Sequence, residues 1–397
     1  MNSKWELAPL GSIAETTSGG TPDKKHPEYY RNGDILWVRS GELDKGIIYD
    51  TEIKITEAGL QNSSAKVFPA GTLLIALYGA TIGKLAFLGK PASTNQAVCA
   101  IFQNDTVSLR YLYYYLLCRR PELIKQGVGG AQPNISQTIL KKLPVRYPVS
   151  IDEQERIVAR IEELFSQLDS GVETLQKTKQ QLAVYRQAVL SESFSELNNM
   201  HKITDFFDIS GGLTKNSNRN SLPIKMPYLR VANVYYNHLD LEEIKKIGVK
   251  DSEINDKLLM KNDLLFVEGN GSKEQIGRVA IWDGSIEPCL HQNHIIKGRP
   301  FGNMLSEFAL FYLISRFGRN QILRVASSTS GLYTLSTGKI ENLKIPYCDL
   351  GKQQIIIEAI EEKLSVFDRI EQTVDTALQQ AEAMRHSILK QAFEGRL

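Results

Sequence analysis

Two stretches of the chain repeat apolar residues every seven positions. In the first stretch the repeat runs through Ile161, Leu168, Leu175, Leu182 and Val189. In the second it runs through Ile360, Phe367, Val374, Ala381 and Ile388. A second row in each stretch, which begins at Ile157 and Ile356, is less regularly apolar. Because no proline interrupts either stretch, each predicts a long helix with one seam that packs against a partner helix.

The two stretches are also copies of each other. Asp152–Phe194 aligns without a gap to Gly351–Phe393, 199 positions later. The positions that recur identically include Gln154, Ile161, Glu162, Glu163, Asp169, Gln180, Gln181, Arg186, Leu190 and Phe194. At about 1.5 Å per residue, each copy predicts a rod about 60 Å long. We expect the rods to pack antiparallel, so that one polypeptide mimics a twofold dimer.

The blocks before the two rods correspond more loosely. "YLYYYLL" at Tyr111–Leu117 matches "FALFYLI" at Phe308–Ile314, and "WVRSGEL" at Trp37–Leu43 matches "YLRVANV" at Tyr228–Val234. Short β-branched and aromatic runs between turns predict strands, with one helix near 108–125 and another near 305–324. The predicted fold class is α+β, with two mixed globular domains and an antiparallel coiled coil. The predicted boundaries are 1–148 and 199–347 for the globules, and 149–198 and 348–397 for the helical spacers.

The net charge of +2 hides an alternation along the chain. Residues 1–148 carry +5 and residues 199–347 carry +4, whereas the helical segments 149–198 and 348–397 carry −4 and −3. Acidic rods repel phosphate, so any nucleic acid is expected to bind the globules. The charged rod positions Glu162, Glu163 and Arg186 are expected to face solvent or partner proteins.

The sequence favours a cytoplasmic protein. Its start, "MNSKWELAPLGSIAE", lacks the apolar core of a signal peptide. The densest apolar run, "GTLLIALYGA", is shorter than the roughly 20 residues that cross a bilayer. Four cysteines without CxxC spacing fit free thiols in a reducing compartment.

No catalytic or metal site is predicted. "GATIGKL" at Gly79–Leu85 lacks the spacing of a phosphate-binding loop, and "FVEGNG" at Phe266–Gly271 is one residue too long for a methyltransferase cofactor loop. "CLHQNH" at Cys289–His294 offers metal-ligand side chains that the first block lacks. The chain is therefore expected to recognise DNA while another protein does the chemistry. A pseudo-dimer with two diverged globules suits two different half-sites on one duplex.

The order of motifs resembles the specificity subunit of type I restriction-modification systems. The likeness spans the chain and includes "SGGTP" at Ser18–Pro22, "LYGATIGK" at Leu77–Lys84, "TNQAV" at Thr94–Val98 and "GGAQPNIS" at Gly129–Ser136. The second block departs from it, with "SGGLTK" in place of the first and "SGLYTLS" in place of the last.

The resemblance implies two target-recognition domains that read an asymmetric bipartite DNA site. It also implies that the rods separate these domains and dock two methyltransferase subunits, which bind S-adenosylmethionine. Restriction subunits, which use ATP and Mg²⁺, join in systems that also cleave DNA, and the sequence leaves their presence open. A coiled-coil scaffold and a self-contained DNA modification enzyme are the alternative functions.

The candidate DNA contacts are loop residues of the types that bind phosphates and base edges. In the first block they are Thr21, Lys24, Lys25, Arg39, Ser40, Tyr78, Thr81, Lys84, Gln132, Asn134 and Ser136. In the second block they are Lys215, Asn216, Arg219, Arg230, Asn233, Asn270, Ser272, Lys273, Thr329, Tyr333 and Thr334. Many of these residue types also close turns, which is the alternative role for each of them.

Overall fold

The chain divides into two compact units in a computed structural model, which describes residues 4–129, 133–273, 275–329 and 332–397. Unit 1 comprises Met1–Leu175 with Thr376–Leu397, and unit 2 comprises Gln176–Asp375. Each unit therefore contains one globule and a segment of each long helix. Within the described ranges, no helix is long and apolar enough to cross a membrane.

In its described residues, the globule of unit 1 contains short strands and four α-helices, and a long helix follows it. The strands are β1 (Trp5–Pro9), β2 (Thr16–Ser18), β3 (Ile35–Val38), β4 (Gly46–Ile48), β5 (Lys54–Ile55), β6 (Val67–Phe68), β7 (Leu73–Ala76), β8 (Leu85–Leu88), β9 (Ala92–Thr94), β10 (Val98–Ile101) and β11 (Pro144–Pro148). The helices are α1 (Leu10–Ile13), α2 (Glu57–Gln61), α3 (Leu109–Lys125) and α4 (Gln137–Lys142), followed by the long helix α5 (Ile151–Phe194).

The central sheet of unit 1 has the strand order β2-β10-β7-β8-β4. Strands β7 and β10 are buried throughout, which explains their uninterrupted apolar sequences. Leu73 and Ile75 face a core that includes α3 and the long-helix segments of this unit. Leu74 and Ala76 face the opposite core, shared with the second sheet, β5-β3-β9-β6. The globule is thus layered, with helices on one face of the central sheet and a sheet on the other.

Unit 2 contains a second globule and the second long helix. Its strands are β12 (Met200–Lys202), β13 (Phe207–Gly211), β14 (Ile224–Leu229), β15 (Val234–Tyr235), β16 (His238–Leu239), β17 (Lys245–Val249), β18 (Leu264–Val267), β19 (Gly269–Asn270), β20 (Val279–Ile281), β21 (Leu290–His291), β22 (Ile295–Pro300), β23 (Ser327–Thr329), β24 (Leu332–Thr334) and β25 (Lys344–Pro346). Its helices are α6 (Asp251–Lys257), α7 (Ser306–Ile314), α8 (Arg316–Val325), α9 (Thr337–Glu341) and the long helix α10 (Leu350–Phe393).

The second globule repeats the topology of the first. Its main sheet, β13-β22-β18-β20, follows the order β2-β10-β7-β8. Its second sheet, β17-β14-β21, follows β5-β3-β9. The parallel pair β14–β21 matches the parallel pair β3–β9, and the ladder β12–β25 matches β1–β11. The α+β fold class and the internal repeat predicted from the sequence are therefore confirmed.

The helix predicted near 305–324 is wrong in one respect, because α7 and α8 are separate helices. Ser315 between them adopts an extended conformation, and its hydroxyl donates to the carbonyl of Tyr312 at 2.6 Å. A Cβ at Gly318 would lie 2.4 Å from the same carbonyl, so α8 approaches the end of α7 too closely for a larger residue. The glycine permits a break that the apolar periodicity does not reveal.

The long helices α5 and α10 each span 44 residues, and their starting positions are 199 residues apart. Ser150 and Asp349 act as N-caps by accepting hydrogen bonds from the amides of Glu153 and Lys352. In unit 2, Lys179 pairs with Asp375 at 2.7 Å and Arg186 with Asp368 at 2.7 Å. The residue later in α5 thus pairs with the residue earlier in α10, so the two helices run in opposite directions. The predicted antiparallel pairing is confirmed.

The seam follows the predicted heptad row. Ile161, Leu182, Ile360, Val374 and Ala381 are buried, and the remaining members of the two regular rows are half-buried. The less regular rows include exposed positions, which are Gly171, Tyr185, Lys363, Ile370 and Met384. The row that carries the stronger apolar repeat is therefore the one that the partner helix covers.

Each globule also packs against the C-terminal end of the long helix that follows the other globule. In unit 1, the Phe393 ring meets the rings of Tyr111 and Tyr115 edge-on, with centroids 5.2 and 5.1 Å away. In unit 2, Phe194 meets Phe308 and Tyr312 in the same way, at 5.2 and 5.4 Å. Since Phe194 and Phe393 are equivalent in the repeat, both globules use the same aromatic contact.

Candidate nucleic-acid interface

Four loops of unit 1 meet at one edge of its central sheet. The Gly20 amide donates to the Thr94 carbonyl at 2.9 Å, and the Leu77 amide donates to the Ala97 carbonyl at 2.8 Å. The Ile135 amide then donates to the Leu77 carbonyl at 2.9 Å. We call residues 19–21, 77–81, 94–97 and 133–136 the loop frame of unit 1. Its backbone hydrogen bonds make one continuous surface from motifs that are far apart in the sequence.

Unit 2 builds the corresponding loop frame from residues 212–214, 268–273, 291–294 and 333–335. The Leu213 amide donates to the His291 carbonyl at 2.8 Å, and the Glu268 amide donates to the His294 carbonyl at 2.9 Å. The Leu335 amide donates to the Glu268 carbonyl at 2.7 Å. The three bonds match those of unit 1 one for one, although few of the residues are identical.

One glycine of the double glycine in each block is explained by the close approach of two loops. A Cβ at Gly19 would lie 2.1 Å from the Thr94 carbonyl oxygen, and a Cβ at Gly212 would lie 2.3 Å from the His291 carbonyl oxygen. Neither distance is possible for a real side chain, so glycine is required at both positions. The motif therefore positions the residues that follow it beside the loop at 94–97 or 291–294.

Several of the predicted contact residues lie on or beside the loop frames with accessible side chains. In unit 1, Tyr78 and Asn134 are exposed and face each other across a β-bridge, and Thr21 is half-buried. The exposed residues that follow the double glycines are Lys24, Lys25, Lys215 and Asn216. Lys273 is exposed within the loop frame of unit 2. Tyr333 is half-buried in the second frame. These side chains present hydrogen-bonding groups and positive charge at the same edge of each sheet.

Arg39 and Arg230 instead hold equivalent turns together. The Arg39 side chain pairs with Glu42 and Glu52, and the Arg230 side chain pairs with Glu243 at 3.0 Å. Carboxylates at this range neutralise the guanidinium charge that a phosphate contact would use. Ser40 is half-buried beside the first of these turns.

Asn233 lies inside the second of these turns. Its side chain is 3% exposed and donates to the carbonyls of Asp240 and Glu243 at 2.8 and 3.2 Å. Its Oδ1 also accepts from the Arg230 amide at 2.9 Å. The turn-forming alternative describes these contacts.

Arg219 is held by a bidentate ion pair. Its two terminal nitrogens donate to the Glu253 carboxylate at 3.0 and 2.9 Å, and its Nε donates to the Thr214 carbonyl at 2.7 Å. The guanidinium lowers the pKa of Glu253 to about 2, mainly through these hydrogen bonds. The Asn216 side chain accepts a hydrogen bond from the Arg219 amide at 3.2 Å and so caps the same turn. The turn precedes β14 and supports the region after the double glycine.

Three further predicted residues in unit 1 have local partners. The Lys84 ammonium pairs with Asp44 at 3.0 Å and lowers the pKa of that carboxyl. The Thr81 hydroxyl donates to the Tyr78 carbonyl at 2.6 Å, and the Ser136 hydroxyl accepts from the Ile139 amide as the N-cap of α4. The Thr81 and Ser136 contacts lie within the loop frame, and the Lys84 pair lies beside it.

The remaining predicted residues are placed only in part. Gln132 lies outside the described residues, and for Asn270 and Thr329 the structure gives the strand backbone alone. The β19–β24 ladder brings Asn270 opposite Tyr333, and Gly269 opposite Thr334. Ser272 and Thr334 are half-buried. The two predicted clusters of the second block, near 270 and near 333, thus lie together.

Sequence reasoning missed two amide residues in the loop frames. Gln96 is exposed and Asn293 is half-buried, and each occupies the same place in the loop that the double glycine approaches. The motif "TNQAV" at Thr94–Val98 occupies the same place in the structure as "HQNHI" at His291–Ile295, and the sequence alone does not show which of their amide side chains is accessible. The two motifs share the hydrogen bond from the amide after Thr94 or His291 to β3 or β14, at 3.0 and 2.9 Å.

His291, which the sequence offers as a metal ligand, lies in the core of unit 2. Its Nδ1 lies 2.8 Å from the Ile295 carbonyl, and burial lowers its pKa to about 3. Burial also raises the pKa of the Cys289 thiol to about 12. Within the described ranges, no group of three histidine, cysteine or acidic side chains is placed to hold a metal ion.

Known proteins share this duplicated plan. The sequence profile of the type I restriction modification DNA specificity domain matches residues 2–183 and again residues 196–380. The specificity subunit of the type I restriction enzyme EcoKI from Escherichia coli K12 is 24% identical over 99% of this chain and 89% of its own length. That of StySPI from Salmonella potsdam is 25% identical, with the same coverage.

Solved structures show the same fold. A chain from a structure of complex assembly and conformational transition in the type I R-M system superposes with a TM-score of 0.78 at 16% identity, covering 100% of this chain and 99% of that one. The HsdS subunit from Thermoanaerobacter tengcongensis gives a TM-score of 0.56 at 16% identity, covering 99% and 97%. Two α+β globules joined to a pair of long antiparallel helices define a duplicated DNA-specificity architecture. The chain belongs to the type I restriction modification DNA specificity domain family.

Proposed function

We propose that this chain is the sequence-specific DNA-binding subunit of a type I restriction-modification complex. The observation that carries the proposal is the loop frame, which is built twice with the same backbone bonds and different accessible side chains. Two loop frames with the same backbone structure but different accessible side chains suit a bipartite DNA site whose halves differ in sequence. The resemblance of the whole chain to specificity subunits of restriction enzymes supports the same conclusion.

Charge supports DNA binding at the globules. The lysines at positions 24, 25, 215 and 273 are exposed at or beside the loop frames. Residues 1–148 and 199–347 carry net positive charge, and the helical segments carry net negative charge. Phosphate contacts from such lysines position a duplex without reading its sequence, and amide and hydroxyl side chains then contact base edges. We keep the predicted boundaries of the target-recognition domains, 1–148 and 199–347, as part of this proposal.

The partner proteins in this proposal are two methyltransferase subunits, which dock on the long helices. Several large apolar side chains stay exposed on these helices within unit 2, and they are Val184, Tyr185, Ile355, Val366 and Ile370. In this proposal these side chains contribute to the surface that the methyltransferase subunits cover. The methyltransferase subunits bind S-adenosylmethionine and methylate adenine. Restriction subunits, with ATP and Mg²⁺, join where the system also cleaves DNA.

In this proposal the chain works in the cytoplasm and supplies specificity without a catalytic residue. The clearest competitor is a self-contained modification enzyme. It predicts methyl transfer from S-adenosylmethionine to DNA by the purified chain alone. Our proposal predicts transfer only when the chain is combined with methyltransferase subunits, and a positive result with the chain alone would overturn the non-catalytic role.

Methylome sequencing tests the recognition role directly. We expect host DNA to carry methylated adenines in one asymmetric bipartite sequence when the gene is present, and to lose that methylation when the gene is deleted. Restoring the gene on a plasmid is the control. An unchanged methylation pattern after deletion, together with no salt-dependent DNA binding by the chain and its co-purified partners, would favour the scaffold alternative.

A further inference from the structure

Gln96 stands at the centre of the loop frame of unit 1. The loop that carries it is closed by backbone bonds, from the Asn95 amide to the Val38 carbonyl at 3.0 Å and from the Val98 amide to the Asn95 carbonyl at 3.1 Å. The Leu77 amide holds the next residue, Ala97, at 2.8 Å. The backbone of Gln96 is therefore fixed on both sides, while its side chain is exposed.

The Thr21 hydroxyl orients the Gln96 amide. It donates a hydrogen bond to Oε1 of Gln96 from the loop that follows the double glycine. One lone pair of Oε1 is used in this way, and the other lone pair and the Nε2 hydrogens point away from that bond. A planar amide with one acceptor and one donor side by side matches the N6 and N7 edge of adenine in the major groove.

We propose that Gln96, oriented by Thr21, reads the adenine of an A·T pair in one half of the DNA site. This inference rests on the proposed function and specifies it further. Lys24 and Lys25 follow Thr21 within four residues and are exposed, so the same loop carries cations for the neighbouring phosphates. Tyr78 and Asn134 lie on the adjoining loops and extend the surface along the groove.

A purely structural role for Gln96 does not fit these contacts. Backbone atoms already close the loop, and the side-chain hydrogen bond that the structure gives Gln96 leads to a residue that is itself on the surface. The turn-forming arginines behave differently, since Arg39 and Arg230 are engaged by carboxylates. Gln96 therefore keeps hydrogen-bonding groups available for a ligand.

Unit 2 has Thr214 and Asn293 at the positions equivalent to Thr21 and Gln96, and its amide side chain is shorter. Thr214 follows Gly212 and Leu213 as Thr21 follows Gly19 and Gly20, and Asn293 replaces Gln96. Asparagine has the same amide chemistry but is one methylene shorter, and Asn293 is half-buried. The two loop frames would accordingly approach the base edge to different depths. This difference supplies one physical reason for two unequal half-sites.

The test uses the full chain in complex with its methyltransferase subunits. Binding is measured to duplexes that carry the sequence methylated by the wild-type complex. A second set of duplexes carries a single substituted base pair at each position of that sequence in turn. For Gln96→Ala we expect the discrimination at one A·T position of one half-site to fall roughly 5- to 150-fold, with the other half-site unchanged. Thr21→Ala should weaken discrimination at the same position, because Thr21 acts through Gln96. Asn293→Ala should alter only the other half-site.

The outcomes separate this inference from the proposed function. If Gln96→Ala and Gln96→Glu both keep the wild-type discrimination at every position, Gln96 does not read a base and the inference fails while the function stands. Equal weakening at all positions with a lowered melting temperature would also overturn it, because it would assign Gln96 to the fold. If the wild-type complex itself shows no sequence preference, the proposed function fails first.

Discussion

Gln154 and Gln353 make the same three hydrogen bonds at the starts of the two long helices. Gln154 accepts the Ser108 amide at 2.8 Å and donates to the carbonyls of Thr106 and Pro148 at 3.0 and 2.9 Å. Gln353 accepts the Leu305 amide at 2.9 Å and donates to the carbonyls of Asn303 and Cys348 at 3.0 and 2.7 Å. Both side chains are fully buried. Each glutamine thus holds its helix against the segment that leads into α3 or α7 in the same unit.

Replacing either glutamine by leucine should destabilise the chain. The substitution removes the side-chain partner of one amide and two carbonyls at a fully buried position, so we expect a loss of about 2–4 kcal/mol in unfolding free energy. Chemical denaturation of Gln154→Leu and Gln353→Leu measures the loss, and Gln180→Leu, at an exposed position of α5, is the matched control. A loss no larger than that of the control would show that these bonds do not stabilise the junction.

Arg186 and Arg385 form one ion pair twice, with the partners exchanged between the repeats. In unit 2, Arg186 contacts Asp368 at 2.7 Å and Glu371 at 2.9 Å, and in unit 1 Arg385 contacts Asp169. Arg186→Asp should cost about 1 kcal/mol, and adding Asp368→Arg should recover part of it. A double-mutant cycle by thermal unfolding measures this coupling. Purely additive losses would mean that the pair contributes no mutual attraction.

The exchanged ion pair shows what the sequence could and could not reveal. The heptad rows predicted a seam and the identical residues predicted a repeat, because periodicity and identity are local properties of the sequence. Arg186 and Glu162 were expected to face solvent or partner proteins, but Arg186 joins the two helices and Glu162 accepts hydrogen bonds from Arg110 and Tyr114. Which charged residues of a helix meet a neighbour depends on tertiary packing, which a single-helix pattern does not contain.

The candidate interface was predictable as motifs but not as individual contacts. The order of loops predicted motifs that the structure brings together at one edge of each sheet, and the β-bridge between Tyr78 and Asn134 joins two loops that were both predicted. Residue type alone could not separate Lys24, which is exposed, from Arg219, which a carboxylate engages. Gln96 was not among the predicted contacts, because nothing in "TNQAV" distinguishes an exposed amide from one that closes a turn.

Lys24 and Lys25 should contribute to the salt dependence of DNA binding. Both are exposed, and the described part of the chain gives their ammonium groups no ion pair. If each contacts a phosphate, Lys24→Ala and Lys25→Ala should each reduce the slope of log K against log salt by about one. Fluorescence anisotropy with the full complex at several salt concentrations measures the slope.

Lys84→Ala is the informative comparison for those two lysines. Because Asp44 already neutralises Lys84, we expect a smaller change in the salt slope than for Lys24→Ala. Equal slopes for all three variants would place Lys84 on the phosphate as well, as the sequence predicted. Unchanged slopes for Lys24→Ala and Lys25→Ala would remove both lysines from the proposed interface.

His291 should make unit 2 sensitive to acid. Its folded-state pKa is about 3, lowered chiefly by burial and further by Lys257, Lys297 and Arg299, whereas an unfolded histidine has a pKa of about 6.5. Between these values the unfolded chain binds a proton that the folded chain does not, so stability falls as the pH falls below about 6.5. The slope contributed by this one group is at most about 1.4 kcal/mol per pH unit.

Exchanging His291 for threonine, the residue at the equivalent position 94 of unit 1, should remove that part of the pH dependence. The variant loses the hydrogen bond to the Ile295 carbonyl, so we expect it to be less stable than the wild type at pH 7.5 by about 1 kcal/mol. Its stability should then decline less steeply from pH 6.5 to pH 4.5. Urea denaturation across this range measures both effects, and His238→Gln, at an exposed position, is the control. Parallel pH profiles for His291→Thr and the wild type would show that the acid sensitivity of unit 2 arises from other groups.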